Sequence, residues 1–450
     1  MIVDTVLNNV KAYVSGEIKE CSIAIHEGKI FKLGKKANMP KAETVINLKG
    51  FLVLPGMIDV HVHLRDEGKA YKEDFYTGTA AAAAGGVTTV LDMPNNKPVT
   101  MSAETLRNRI RIAEGKILVN VGFYSAFPKN LEEIEKIVDT GAFAFKFFMA
   151  AEIGGLKIGD EEMVMKAFKK AGELGIPVAV HAEDWAMLRE KEEKLKLEGC
   201  NSIEAFLEVH SEKAEVEAVK KLVKIVKQTN VQTHLCHLTT RKCLEILVEA
   251  KRAELPLTCE VTPHHLFLSI DDLKKIGTLA VTVPPFREKA DQKALWFGIR
   301  KGWIDIIASD HAPHFLTEKK VDDVWSVKVG VPGLETTLPL LLTEVNNGRL
   351  TIKDLVRLTS EKPAEIFDLN GKGKLENGMD ADLVVVDLHR EFKIDASNFH
   401  SKAKFSPFDG WKVKGKPVKT FVNGILIMDE DSIIAKPGTG KVLKKGCRGN

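Results

Sequence analysis

The chain has 450 residues, a hydrophobic content of 44% and 65 basic against 62 acidic side chains, for a net charge of +3. So even a balance argues against a nucleic-acid or polyanion surface, and no apolar run reaches the roughly 18 residues that a membrane span requires. The six cysteines are scattered, with Cys21 and Cys447 near the ends and no Cys-x-x-Cys pair, which argues against a disulfide framework or a zinc ribbon. With no charged segment and apolar stretch opening the chain, the expectation is a soluble cytoplasmic protein acting on a small molecule, with neither nucleic acid nor membrane as partner.

In chain order, Ser22-Ile23-Ala24-Ile25, the turn Glu27-Gly28-Lys29 and Ile30-Phe31-Lys32-Leu33 predict a small antiparallel sheet within residues 1–54. Phe51 to Ile58 is an apolar approach to Asp59-Val60-His61-Val62-His63-Leu64-Arg65. On a strand, histidines at i and i+2 project from one face and can grip one metal ion; taken alone, such a pair is more often ordinary packing. Tyr76 to Ala84 predicts an alanine-rich helix stopped by Gly85-Gly86 and followed by the strand Val87 to Leu91. Further strands are expected at Ala142 to Phe148, Pro177 to Val180, Val231 to Leu235, Leu257 to Val261 and Ile304 to Ala308. Helical stretches separate them, the pattern of βα units around a parallel sheet over residues 55–370. Strand-like texture returns in Asp382 to Asp387 and Lys419 to Ile427, so residues 371–450, tail included, are expected to complete one module with 1–54. A (β/α)8 barrel of about 250 residues with such a module accommodates this length.

Polar residues follow the apolar strands: His61 and His63, Asn95, Lys146, His181, His237 and Asp310. In a barrel they converge on the C-terminal mouth, where active sites of this fold sit. Imidazole and carboxylate suit zinc or a similar divalent ion, and the set points to a two-metal site. A charged amine is costly to bury between Phe145, Phe147 and Phe148, and a charged amine cannot ligate a cation. A neutral Lys146 amine can add carbon dioxide, and the resulting carbamate is a carboxylate-like bridge between two ions. His234, His264 and His265 are expected to be structural. Gly438-Thr439-Gly440-Lys441-Val442 lacks the spacing and the hydroxyl residue of a phosphate loop.

Asp59 to Asp66, Met93-Pro94-Asn95-Asn96, Glu260 to Leu266, Ser309-Asp310-His311-Ala312-Pro313-His314 and Gly333 to Pro339 together resemble the dihydroorotases of the amidohydrolase superfamily. Arg65 and Asn95 are the specific marks. The resemblance implies an α/β fold, a TIM-type (β/α)8 barrel with a small composite β-sandwich domain built from both termini. It implies that His61 and His63 bind one ion, His181 and His237 the other, that carboxylated Lys146 bridges them and that Asp310 completes the first shell. Two divalent ions are expected, with zinc the favoured identity. Arg65, Asn95 and His314 would hold a substrate carboxylate, with His63, Val329 and Gly330 also against the substrate.

The implied reaction is the reversible closure of N-carbamoyl-L-aspartate to L-dihydroorotate and water in pyrimidine synthesis, through a metal-activated hydroxide with Asp310 as general acid and base. Arg65 argues against a dihydropyrimidinase, whose uracil-derived ring carries no exocyclic carboxylate, and the full ligand set argues against a metal-free scaffold. Two points depart from the family pattern: the Phe-Lys-Phe segment belongs to the carboxylysine branch, and Val283 stands where relatives place a substrate-binding Asn or Arg, which leaves that role to backbone or to a neighbour such as Arg287. A third metal at Cys236 and Glu260 is disfavoured against a filler cysteine and a histidine-orienting glutamate. The resemblance leaves open a homodimer and an association with aspartate transcarbamoylase.

Overall fold

The computed structural model of the chain describes residues 1–445; Cys447 lies outside them. The chain opens with strands β1 (Ile2–Val14), β2 (Glu17–His26), β3 (Lys29–Gly34), β4 (Lys41–Asn47) and β5 (Leu52–Pro55). Strands β6 (Met57–Val62), β7 (Val87–Asp92), β8 (Asn120–Ala126), β9 (Ala144–Phe148), β10 (Val178–His181), β11 (Thr233–Leu235), β12 (Leu257–Val261) and β13 (Ile306–Ile307) then alternate with helices. The last strands are β14 (Leu383–Lys393), β15 (Lys412–Val422), β16 (Ile425–Asp429) and β17 (Ser432–Ile433).

The eight strands β6 to β13 lie in sequence order, each parallel to the next. The ends of this sheet meet where Val62 bridges His311 in parallel and the His63 N–H donates to His311 O at 2.9 Å. A sheet closed in this way is a (β/α)8 barrel, the expected fold. The other nine strands form one sheet in which β5 is the joint, parallel to β1 and antiparallel to β14. Both ends of the chain therefore share one hydrophobic cluster, with Leu7, Ile23, Ile25 and Val53 packed against Leu383, Val385 and Phe421.

The run Leu383-Val384-Val385-Val386 follows from its position between two cores. Leu383 and Val385 face the terminal module, whereas Val384 and Val386 pack with the barrel. A strand buried on both faces reads as a continuous apolar run rather than an alternating one.

Two elements, β8 and β13, differ from expectation. β8 is absent from the predicted strands because Asn120, Gly122 and Ser125 interrupt its apolar character; Asn120 is nonetheless buried, donating to Asp382 Oδ2 at 3.0 Å and accepting from Asn423 Nδ2 at 2.9 Å. The segment Lys419 to Ile427, expected to be strand-like, is a hairpin turning at Asn423 (φ 49°) and Gly424 (φ 79°); Asn-Gly with positive φ at both positions is the favoured two-residue turn. β13 shrinks to two residues within the expected five.

Beyond β17 the tail returns to the barrel, where Leu443 N–H donates to Val121 O at 2.8 Å and Val121 N–H to Lys441 O at 3.0 Å. Gly440 belongs to this seam and to no phosphate loop, since a Cβ there would lie 2.1 Å from Val119 O. Gly440→Ala is accordingly expected to cost about 1–3 kcal/mol and to expose the tail to proteolysis. Gly159→Ala, where a Cβ meets nothing within 4 Å, should leave the melting temperature unchanged in the same calorimetric comparison.

Candidate metal centre

Strand geometry brings the polar residues together. Side chains two apart share a face, so Lys146 sits one layer above Ala144 and His181 one layer above Ala179, and these two alanines pack with Val60, Tyr124 and Ile306 in one interior cluster. In β6 the register against β7 shifts between Asp59 and Val62. A bulge re-aims side chains, and past it the His61 and His63 rings stand 5.4 Å apart at the mouth. Arg65, His237 and Asp310 have φ of 61°, 34° and 45°. A non-glycine residue held there costs about 1–3 kcal/mol and marks a site over-determined by its surroundings.

These residues line one cavity of about 310 Å³, with walls that include His61, His63, Arg65, Asn95, Lys146, His181, His237, Val283, Asp310, Val329 and Gly330. His314 stands behind the wall, with Nε2 2.9 Å from Val329 O and 3.2 Å from Arg65 Nη2.

Three ligand atoms converge at the floor. His61 Nδ1 donates to Glu260 Oε1, and His63 Nδ1 donates to Asn95 Oδ1 at 2.6 Å. With the Nδ1 protons so placed, both Nε2 atoms face Asp310 Oδ1, at 3.3 Å and 3.1 Å. The ligand atoms of this trio lie within 4.8 Å of one another. Two imidazoles and a carboxylate sharing one point fit a divalent cation. Burial opposes ionisation of Asp310, but His61 and His63 hold its carboxyl well below the usual range. Burial likewise disfavours a charged His61, yet Glu260 outweighs it and raises the group to about 10. Burial lowers His63 to about 4, with Arg65 adding to the effect. This cluster attracts a positive charge, as a proton or as a cation.

A second pair sits beside it. His181 Nε2 donates to Glu183 Oε2 at 2.8 Å, which turns Nδ1 toward His237 Nε2 at 3.0 Å. Burial lowers both imidazoles, and they stay neutral, the form that ligates. Lys146 lies near them, its Nζ 2.8 Å from Cys236 Sγ and over the Phe148 ring. His61, Cys236 and Glu260 form another compact trio, but the Glu260 carboxylate is already taken by His61, by His234 Nε2 at 3.1 Å and by the His237 N–H at 3.2 Å. That arrangement orients histidines.

Arg65 supplies the opposite charge. It is buried, its Nε has no hydrogen-bond partner, and among the described residues no carboxylate lies within ion-pair distance of it. Burial lowers it only to about 10, so it stays a cation. Its loop is fixed from below: Asp92 accepts from the Leu64 N–H at 2.9 Å and is held by Arg109 Nε at 2.7 Å. Lys72 Nζ donates to His314 Nδ1 at 3.0 Å, and His314 Nε2 to Val329 O.

Arg287 does not replace a contact at Val283: it is committed to Thr239 Oγ1 at 2.9 Å, to His210 O and to Glu215 at 3.2 Å. Lys72 and His210 escaped the sequence reading because they lie on loops and a helix end, away from the strand termini. His210 lines the cavity and bonds Glu183 Oε1 at 2.9 Å.

The amidohydrolase family profile matches residues 52–427. The chain is 39% identical over 450 residues to the dihydroorotase of Methanosarcina mazei, covering 98% of both chains. It is 39% identical over 427 residues to the dihydroorotase of Pyrococcus furiosus, covering 94% of this chain and 92% of the relative. Among solved structures it matches L-hydantoinase (dihydropyrimidinase) from Arthrobacter aurescens with a TM-score of 0.94 and 31% identity, covering 98% of this chain and 100% of that one.

If Glu260 sets the His61 tautomer, Glu260→Gln should weaken metal affinity by about 10–100-fold while the protein stays folded. Competition with a chelator measures this, and unchanged affinity would remove Glu260 from that role.

Proposed function

The chain belongs to the amidohydrolase family, and we propose that it catalyses the dihydroorotase reaction, the reversible closure of N-carbamoyl-L-aspartate to L-dihydroorotate and water. The observation that carries this reading is Arg65, a buried guanidinium without a carboxylate partner, in the wall of the cavity whose floor holds His61, His63 and Asp310. Hydrolysis of a cyclic amide does not need that cation. A ring bearing an exocyclic carboxylate does, and a planar donor fork matches it. The names of the relatives at 39% identity support the same choice.

In this reading His61, His63 and Asp310 hold one divalent ion and His181 and His237 the other, with zinc suited to the nitrogen and oxygen donors. Lys146, once carboxylated, would supply a further anionic ligand. Its amine would add to carbon dioxide: one C–N bond forms, one C=O π bond of carbon dioxide opens, the nitrogen gives up a proton to solvent, and a carbamate anion results. When bound, the ions supply an activated water and a polarised ring carbonyl.

The remaining steps belong to the side chains. Arg65, with Asn95, holds the carboxylate and fixes the ring's orientation; His314, expected to share that role, stands behind the wall with both nitrogens taken by Lys72 and Val329 O. Val329 and Gly330 close the wall. In the hydrolytic direction Asp310 Oδ accepts the proton of the attacking water and returns it to the departing ring nitrogen. In closure the ionised Asp310 takes the proton of the attacking ureido nitrogen and delivers it to the departing oxygen. Closure converts a dianion to a monoanion and takes up one proton, so the equilibrium favours the ring by about tenfold for each unit the pH falls.

The purified protein, with metal content measured on the same sample, is expected to interconvert carbamoyl aspartate and dihydroorotate and to act poorly on dihydrouracil. A preference for dihydrouracil would overturn the reading. Asp310→Asn keeps an oxygen donor but loses the proton carrier; turnover in both directions should fall by about 10²–10⁴-fold with metal still bound. Near-native rates in that variant would rule out the proton-transfer role.

A further inference from the structure

Lys319 is fully buried. Its Nζ donates to Val281 O at 2.8 Å, to Lys328 O at 3.0 Å and to Gly330 O at 3.0 Å. An ammonium has three N–H donors and no acceptor, so each proton has its own carbonyl. Among the described residues no carboxylate lies within ion-pair distance, burial alone lowers the amine to about 7, and the Phe405 ring covers the group at 6.0 Å. A lysine held this way is an expensive filler, since a buried charge without a counter-ion is disfavoured. Methionine or leucine would fill the same space at lower cost.

The three carbonyls belong to the segments that form one wall of the active cavity, where Val283, Val329 and Gly330 are exposed to it. The segments are joined again by the Gly330 N–H, which donates to Val281 O at 3.0 Å, and by the Lys328 N–H, which donates to Glu318 O at 3.1 Å. Lys328 C=O and Val329 N–H share one planar trans peptide, in which the two groups point in opposite directions. Anchoring that oxygen on Lys319 turns the Val329 N–H away from the buried amine, and this N–H has no partner among the described residues.

We propose that Lys319 is a positioning residue for the substrate: by drawing three backbone carbonyls onto its ammonium, it presents the Val329 N–H to the cavity as a hydrogen-bond donor. This rests on the dihydroorotase reading, because the group that accepts the bond is an oxygen of dihydroorotate or carbamoyl aspartate. Lys319 touches neither; it acts through the peptide.

The test compares kcat and KM for both substrates, with metal content and melting temperature, in Lys319→Met, Lys319→Gln and Val329→Pro. Lys319→Met keeps the length of the side chain and loses every donor; KM is expected to rise about three- to tenfold with kcat within about twofold and metal content unchanged. Lys319→Gln, with two N–H groups, should fall between it and the parent. Val329→Pro removes the N–H itself at a partly exposed position and keeps the test open if Lys319→Met does not fold; the same rise in KM is expected. A lowered melting temperature with KM unchanged in the Lys319 and Val329 variants would reduce Lys319 to a structural role and overturn the proposal. A parent enzyme inert toward both substrates would instead overturn the reading of the reaction, a failure visible before any variant is made.

Discussion

A buried carboxylate at the end of β12 sets the geometry on which the mouth of the barrel depends. Glu260 accepts from His61 Nδ1, from His234 Nε2 and from the His237 N–H, so one side chain ties together residues of β6, of β11 and of the turn after β11. Such a charge in the interior without donors is disfavoured by about several kcal/mol. His61 and His234 hold the Glu260 carboxyl well below its usual range in spite of burial. The retained negative charge favours a positive charge on His61, and the fixed Nδ1 proton is what aims its Nε2 at Asp310. The geometry of the His61, His63 and Asp310 trio is a consequence of the hydrogen bonds behind it as much as of the trio itself.

The cavity is polarised as a result. Its floor gathers imidazoles and an ionised carboxylate around a point that attracts cations, and its wall carries Arg65 with Lys72 behind His314. The proposed reaction puts its amide at the floor and its carboxylate at the wall. On the proposed reading, selection of a carboxylate-bearing ring rests with the loop after β6 and the segments facing it, and the chemistry with the strand ends. That division follows from the barrel, in which strand termini are rigid and loops vary independently.

The strand-end residues were legible because each is a polar interruption at the close of an apolar run: His61 and His63, Lys146, His181, His237 and Asp310 all stand out in this way, and the structure places them on one cavity. β8 was not legible, because its Asn120, Gly122 and Ser125 weaken the run and their burial depends on partners from Asp382 and Asn423, more than 250 residues away. Glu183 was visible beside His181 without a role; only the fold shows that it joins His181 to His210. Arg287 shows the opposite error: proximity to Val283 in sequence suggested a substrate contact, but its guanidinium is taken up by Glu215 and Thr239.

The sequence by itself determined the alternation of strands and helices, the residues able to bind metal and the cation beside them, because periodicity and residue chemistry are local properties. The tertiary structure decided which of these meet. Closure of β6 onto the segment after β13 brings His61 and His63 to Asp310, and a bulge and three left-handed residues aim the side chains. It also decided the roles of Glu260, Lys72 and Lys319, whose meaning lies in partners distant along the chain. Hydrogen-bond direction and burial are relations between segments, and they exist only once the segments have packed.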